Sequence, residues 1–267
     1  MTAIATASEE TVGMLVKRWR ERRRRSQLDV SLAADLSARH LSYIETGRSN
    51  PSREMIERIC EELDVPLRER NRLYLAAGFA PVHPERPFAD LGAARAAVQA
   101  VLMGLDPNPA AAVNVCWDLL EANDPMRGFL AALPDELAGP PLNMLRATLH
   151  PDGLASQVVN LEQWRAHTLR RVRRQLERTA ASGLAELLAE LESYGDSDPP
   201  DPPGPTSHDL VVPLQMATPY GDLALLYTAT VFGSPRDVTL DEIAIETFFP
   251  ADDATARILR SLADART

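Results

Sequence analysis

Cysteine is scarce in this 267-residue chain: Cys60 and Cys116 are its two, far apart and each in apolar surroundings. That excludes a disulfide framework and any paired-cysteine zinc spacing, and leaves two buried free thiols as the expectation. The five histidines are scattered singly, with no HExxH pair. A glycine-rich phosphate loop and a nucleophile elbow are also missing, so neither catalysis nor a metal or cofactor is expected. No apolar run approaches the roughly 18 residues of a membrane span. The opening MTAIATASEE has neither a basic leader nor an apolar core, and a soluble cytoplasmic protein is expected.

Charge is present but unevenly shared. The whole chain carries a net −10, yet its first 80 residues hold 14 Lys and Arg against 12 Asp and Glu. Between Val12 and Arg53, ten basic residues stand against four acidic ones. The local sign decides what a surface attracts, so this stretch suits a polyanion despite the acidic total.

The same stretch reads as a series of short helices. Thr11 caps a helix with Val12, Leu15, Val16 and Trp19 on one stripe; Lys17, Arg18 and Arg20 to Arg25, broken by Glu21, take the opposite face. Such a run is a solvated face or a phosphate-contacting one. Ser26 caps a second helix that begins with Gln27, whose amide suits a phosphate oxygen. Asp35-Leu36 makes a turn in which Asp tolerates positive φ. Ser37 then caps a helix that turns Leu41 and Ile44 inward and Ala38, Arg39, Ser42 and Tyr43 outward, a short cationic strip of the kind a major groove admits. Gly47 ends it, and Arg48, Ser49 and Asn50 follow as donors suited to a phosphate backbone. Pro51-Ser52 opens a fourth helix with Met55, Ile56, Ile59, Cys60 and Leu63 inward. Pro66-Leu67 opens a fifth, with Leu67, Leu73, Tyr74 and Ala77 inward and Gly78 as terminator. An ordinary surface helix and turn is the competing reading of the third helix.

With SQ opening the second helix, LSARHLSYIETGRSNPS across the third and LDVPLRERNRLYLAAGFAP in the fifth, residues 12–80 resemble the XRE family of helix-turn-helix regulators. The resemblance implies phosphate contacts from Gln27 and the loop after helix three, base reading by Ala38, Arg39 and Tyr43, and an Arg20–Glu45 pair. Two positions depart from the pattern: Asp35 replaces the usual turn glycine, and Ser31, needing a partner if buried, replaces a small alanine.

HPERP at 83–87 marks a linker. The expected division is a DNA-binding domain at 1–80, a linker and connecting helix at 81–100, and a second domain at 101–267. An Ala-rich helix from Phe88 to Gly104 leads into the latter, in which AAAVNVCWDLLEA reads as two short strands in a hairpin or as one helix, and helical patterns fill Pro125–Leu133, Leu142–Leu149, Leu154–Thr179 and Gly183–Tyr194. Arg165, Arg170, Arg171, Arg173, Arg174 and Arg178 crowd the outer sides of the third of these and read as a solvated face. A proline-rich loop follows Gly195. Leu210–Ala217 and Leu223–Phe232 read as strands, Asp241–Phe249 as a strand or helix, and Asp252–Ala265 as a closing helix.

The fold class is therefore an all-α five-helix helix-turn-helix domain followed by an α+β PAS-like domain. WDLLEAN, NMLRATLHPDG, NLEQWRAH and VFGSPRDVTLDEIAIETFFPAD resemble the MmyB-like regulators, which implies a PAS-like ligand-binding fold associated with small, largely apolar, fatty-acid-like ligands. Candidate ligand-contacting residues are Trp117, Asn143, Arg146, His150, Asn160 and Trp164. Asn143 and Arg146, three apart, suit a carboxylate or carbonyl, and the tryptophans suit an apolar wall. The competing reading is that the polar groups satisfy backbone around a loop and the tryptophans are core. The expected function is a homodimeric regulator of transcription on double-stranded DNA that senses a small ligand. Its alternative is a DNA-binding protein whose second domain is a ligand-free dimerisation or interaction module.

Overall fold

The computed structural model describes residues 10–195, 211–233 and 235–266. The proline-rich stretch after Gly195 and the strand position Leu210 lie outside the described residues. By internal contacts the chain forms two compact units. One runs to Arg86 and takes in Pro235–Asp241; the other comprises the rest. The stretch 81–100, read from sequence as linker and connecting helix, is split between them.

The first unit contains α1 (Val12–Arg22), α2 (Gln27–Ala33), α3 (Ala38–Glu45), α4 (Arg53–Glu62) and α5 (Leu67–Ala76). Each of the first four starts where a hydroxyl can accept an orphan N–H: Thr11 from Met14, Ser26 from Asp29, Ser37 from His40 and Ser52 from Met55. Their stripes meet in a core of Leu15, Val16, Trp19, Val30, Leu41, Ile44, Ile56 and Leu63. Buried Ser31 meets its need by donating to the Leu28 carbonyl at 2.9 Å. Contact between α1 and α3 is backbone to backbone, since a Cβ on Gly13 would stand 2.2 Å from the Ile44 carbonyl oxygen. Any side chain there must push α3 away.

Asp35 sits at φ 52°, so the turn into α3 does use the left-handed region. Its side chain is 97% exposed and meets Arg58 at 3.2 Å, a pair too wet to contribute much. Asp35→Gly should therefore raise the stability of this unit by about 0.5–1 kcal/mol, by removing the Cβ strain. A fall in its denaturation midpoint would show that the Arg58 contact matters more than the backbone.

The second unit begins with a 3-10 turn at Phe88–Asp90 and α6 (Ala93–Gly104), not one continuous helix, because Gly92 at φ 51° breaks them. There follow β1 (Ala110–Val113), β2 (Leu119–Ala122), α7 (Asp124–Leu130), α8 (Asp135–Ala138) and α9 (Met144–Leu149), then α10 (Leu161–Thr179) and α11 (Leu184–Ser193). The chain continues through β3 (Leu214–Thr218), β4 (Gly221–Val231), α12 (Val238–Asp241), which counts with the first unit, β5 (Ala244–Pro250) and α13 (Asp253–Asp264). The pattern read as one helix from Leu154 is interrupted: after a 3-10 turn at Leu154–Gln157, Val158 bridges Met216 and the Val159 N–H bonds the Gln215 carbonyl at 2.8 Å. A sheet edge takes those groups before α10 can start. Asp241–Phe249 proves to be the end of a helix and then a strand.

The five strands form one antiparallel sheet in the order β2-β1-β5-β4-β3, the α+β arrangement expected. Strand β5 sits at its centre. Asn123 locks the first hairpin onto what surrounds it. Its buried amide accepts from Ala110 and Met126 N–H groups and donates to the Leu102 and Asn108 carbonyls.

Pro235–Asp241 completes the helical unit. Val238 is fully buried, its N–H bonds the Pro84 carbonyl at 2.9 Å, and Thr239 donates to the Arg86 carbonyl at 2.6 Å. Asp237 pairs with Arg86 at 3.0 Å. Helix α5 has Pro66 at its N-cap and no side-chain cap of its own; its first N–H, on Leu67, donates instead to Asp241 Oδ2 at 3.3 Å. Asp241→Ala should cost this unit about 1 kcal/mol, as loss of a cap does. Hydrogen exchange at Leu67 is the direct readout; no change there would dismiss the cap.

Candidate DNA-reading face and ligand pocket

Leu41 and Ile44 are fully buried and hold α3 to the core, so its other side is presented outward. Arg39 is exposed. Its Nε donates to Tyr43 Oη at 2.9 Å, one turn on, and its guanidinium stands 5.3 Å from the Tyr43 ring centroid. Arg48 approaches the same ring at 5.9 Å. A tyrosine flanked by two guanidiniums anchors Arg39 through Nε, while its terminal nitrogens bond no described residue.

The remaining candidates differ in how far they are committed. Ala38 and Ser42 are partly exposed on the outward side, and exposed Ser37 uses its hydroxyl as the cap. Ser49 Oγ lies 3.3 Å from His40 Nε2. Asn50 donates to the Ala77 carbonyl at 3.1 Å, tying the loop after α3 to the end of α5. Gln27 spends one amide hydrogen on Glu45 Oε2 at 2.8 Å.

Glu45 is a hub. Arg20 grips it with two bonds, Nε to Oε1 at 2.6 Å and Nη2 to Oε2 at 2.9 Å, while Arg20 Nη1 caps the Arg25 carbonyl. The hydrogen bonds to Glu45 raise the pKa of Arg20 further. Arg23 reaches the Leu63 and Asp64 carbonyls at 2.7 and 2.6 Å, a cation at the end of α4. Part of the arginine run is therefore internal scaffolding.

In the second unit the six ligand candidates are spread over several places. Trp117, at φ 68° in the β1–β2 turn, bonds Gln175 Oε1 through its indole N–H, and Trp164 packs edge-on to Tyr227. Asn143 is the N-cap of α9 and not within it, so it does not share a helical face with Arg146. Its Oδ1 accepts from Leu145 and Arg146 N–H groups, and its Nδ2 donates to the Cys116 carbonyl and Asp118. Arg146 forms a two-bond pair with Glu190 at 2.7 Å each, and Tyr194 donates to the same carboxylate. Arg146 holds the Glu190 carboxyl below its usual range. His150 Nδ1 accepts from Asp152 N–H and its ring meets Tyr194 edge-on. Asn160 bonds the Pro213 carbonyl and Gln215 N–H, joining the start of α10 to β3.

A small apolar pocket lies elsewhere, partly open to solvent, with a cavity volume of about 40 Å³. Met126, Leu130, Met144, Leu154, Leu225 and Phe248 line it, with Thr148 among the few polar neighbours. Its signal in the sequence is faint, because these are strand-alternating or cap-proximal apolar residues no different in type from core.

Arg171 corrects the solvated-face reading of α10. Its Nη2 bonds both oxygens of Glu246 at 2.7 and 3.0 Å, and its guanidinium lies 3.9 Å from the ring centroids of both Trp117 and Tyr227. Burial lowers the Arg171 pKa to about 10 and pushes the Glu246 carboxyl up to about 7, each partner pulling the other back.

Among the described residues no group of three or more His, Cys, Asp or Glu is placed to hold a metal ion, and no helix is long and apolar enough to cross a membrane. No curated protein matches the chain. Residues 16–70 match a helix-turn-helix family model, and residues 94–262 match the MmyB-like transcription regulator ligand binding domain. That second match covers more than half of the sequence, and the chain belongs to the MmyB-like transcription regulators: it is a DNA-binding transcription regulator with a ligand-binding domain.

Proposed function

We propose that the regulator binds double-stranded DNA as a homodimer, reads bases with α3, and takes up a small, largely apolar ligand in its second unit. The observation that carries the DNA part is the exposed Arg39, held outward on Tyr43. Its planar fork matches O6 and N7 of a guanine. Ala38, Ser42 and Tyr43 flank it, with Gln27, Ser37, Arg48, Ser49 and Asn50 as the groups nearest a phosphate backbone. Two copies would grip half-sites about one helical turn, roughly 34 Å, apart. The ligand part is supported by the apolar pocket. Filling it is proposed to alter the spacing of the two reading helices.

The experiment is operator binding by purified protein, with and without each compound that co-purifies or raises its melting temperature. Unchanged affinity with all of them would end the sensing proposal. A second reading, in which the second unit is a ligand-free dimerisation module, is favoured by the internal bonding of Asn143, Arg146 and Asn160. Native mass spectrometry separates the two, because only the first retains a small molecule.

A further inference from the structure

The polypeptide leaves the helical unit at two points, after Arg86 and after Asp241. The two exits are pinned together, since Asp237 pairs with Arg86 and Thr239 donates to the Arg86 carbonyl. The second exit has little slack. Glu242 and the buried Ile243 separate Asp241 from Ala244, where β5 begins, and three residues reach at most about 10 Å. Ala244 is already paired with Val113 on β1 and Val231 on β4, so the chain meets the central strand of the sheet as soon as it arrives. On its other side Asp241 accepts from the Leu67 N–H, the first of α5. Pro66 supplies no side-chain cap, so the start of that helix depends on Asp241. The helix is ten residues long, a rod of about 15 Å. At its far end the Ala77 carbonyl accepts from Asn50, in the loop after α3.

We infer that Asp241 is the residue through which the second unit regulates DNA binding: its bond to Leu67 ties the central strand β5 to α5, and α5 sets the loop that carries Ser49 and Asn50. The inference rests on the proposed seat of that loop on the phosphate backbone. The element with two arrangements is the start of α5, its first N–H either held by Asp241 or open. A change in the sheet that shifts β5 reaches Asp241 within three residues and favours one arrangement over the other. A rigid helix then passes the change to Asn50. Such coupling is reciprocal: if the state of the second unit alters affinity for DNA, bound DNA must steady the second unit by the same factor. DNA can therefore serve as the effector, and no ligand is needed to look for the effect.

The test is hydrogen exchange read by mass spectrometry on the full chain, with and without a saturating random-sequence duplex at low salt, where phosphate contacts suffice for binding. In the parent, DNA should slow exchange in the loop at residues 46–50 and, about threefold, in β5 at residues 245–249. Two variants cut the bond from opposite sides. Asp241→Ala removes the acceptor. Leu67→Pro removes the donor at the first position of a helix, where proline is accommodated, and Pro66 at ψ 151° has the extended backbone that a following proline needs. Both should keep the slowing in the loop and lose more than half of that in β5, while Asp241→Asn, which keeps an acceptor oxygen, should behave as the parent. Slowing in the loop with none in β5 of the parent overturns this inference alone. So does half or more of the β5 effect surviving in either variant, because the route then bypasses the bond. A bound duplex that leaves the loop unslowed overturns the proposed DNA face, and the inference with it.

Discussion

Replacing Glu246 with alanine should destabilise the second unit by about 3–5 kcal/mol at pH 8, the cost of leaving a buried guanidinium without its counter-charge. Arg171 is clamped between Trp117 and Tyr227, with about a quarter of its side chain exposed. Glu246→Gln keeps the shape and an acceptor oxygen, and should lose distinctly less. The pair also gives a pH signature. The folded carboxyl keeps its proton up to about 7, whereas the unfolded one releases it near the ordinary 4.5. Across that window the folded state binds more protons, so raising the pH lowers stability, and the loss is complete once pH passes the folded value. Denaturant unfolding at several pH values measures this, and the slope from this group should disappear in Glu246→Gln. An alanine variant within about 1 kcal/mol of the parent would mean that the guanidinium finds another partner.

Arg39→Ala should weaken binding to the cognate operator by about 1–3 kcal/mol, roughly 5- to 150-fold, and relax one base position. Random DNA should be bound nearly as before, since a base contact contributes little there. Arg48→Ala is the contrasting variant. It should weaken both kinds of DNA and reduce the salt slope by about one. Fluorescence anisotropy on matched cognate and scrambled duplexes decides between them, and an equal loss on both for Arg39→Ala would reduce it to a phosphate contact. Tyr43→Phe should show part of the Arg39 effect, because the hydroxyl that accepts from Nε is lost.

The two units were not equally legible. In the helical one, α1 to α4 each start at a Ser or Thr three residues before the N–H it accepts, so they could be placed from local pattern alone. The turn at Asp35 was readable for the same reason. Partners distant in sequence were not. Arg171 looks like its neighbours Arg170, Arg173 and Arg174, and only a carboxylate 75 positions later makes it internal. Asn143 and Arg146 suggested a shared helical face, yet a cap residue has non-helical backbone and aims its side chain back at the turn. The pocket stayed hidden because an apolar residue beside a cavity and one in the core share the same periodicity.

Pro235–Asp241 has a practical consequence for how this molecule can be divided. The polypeptide enters the helical unit twice, first up to Arg86 and again between β4 and β5. A fragment cut after Arg86 leaves Pro84 and Leu67 without the partners that Val238 and Asp241 give them. Such a fragment is a truncated reader, and DNA affinities measured on it would describe a different object from the intact protein. A faithful minimal piece must carry those seven residues back, spliced behind Arg86 by a designed loop.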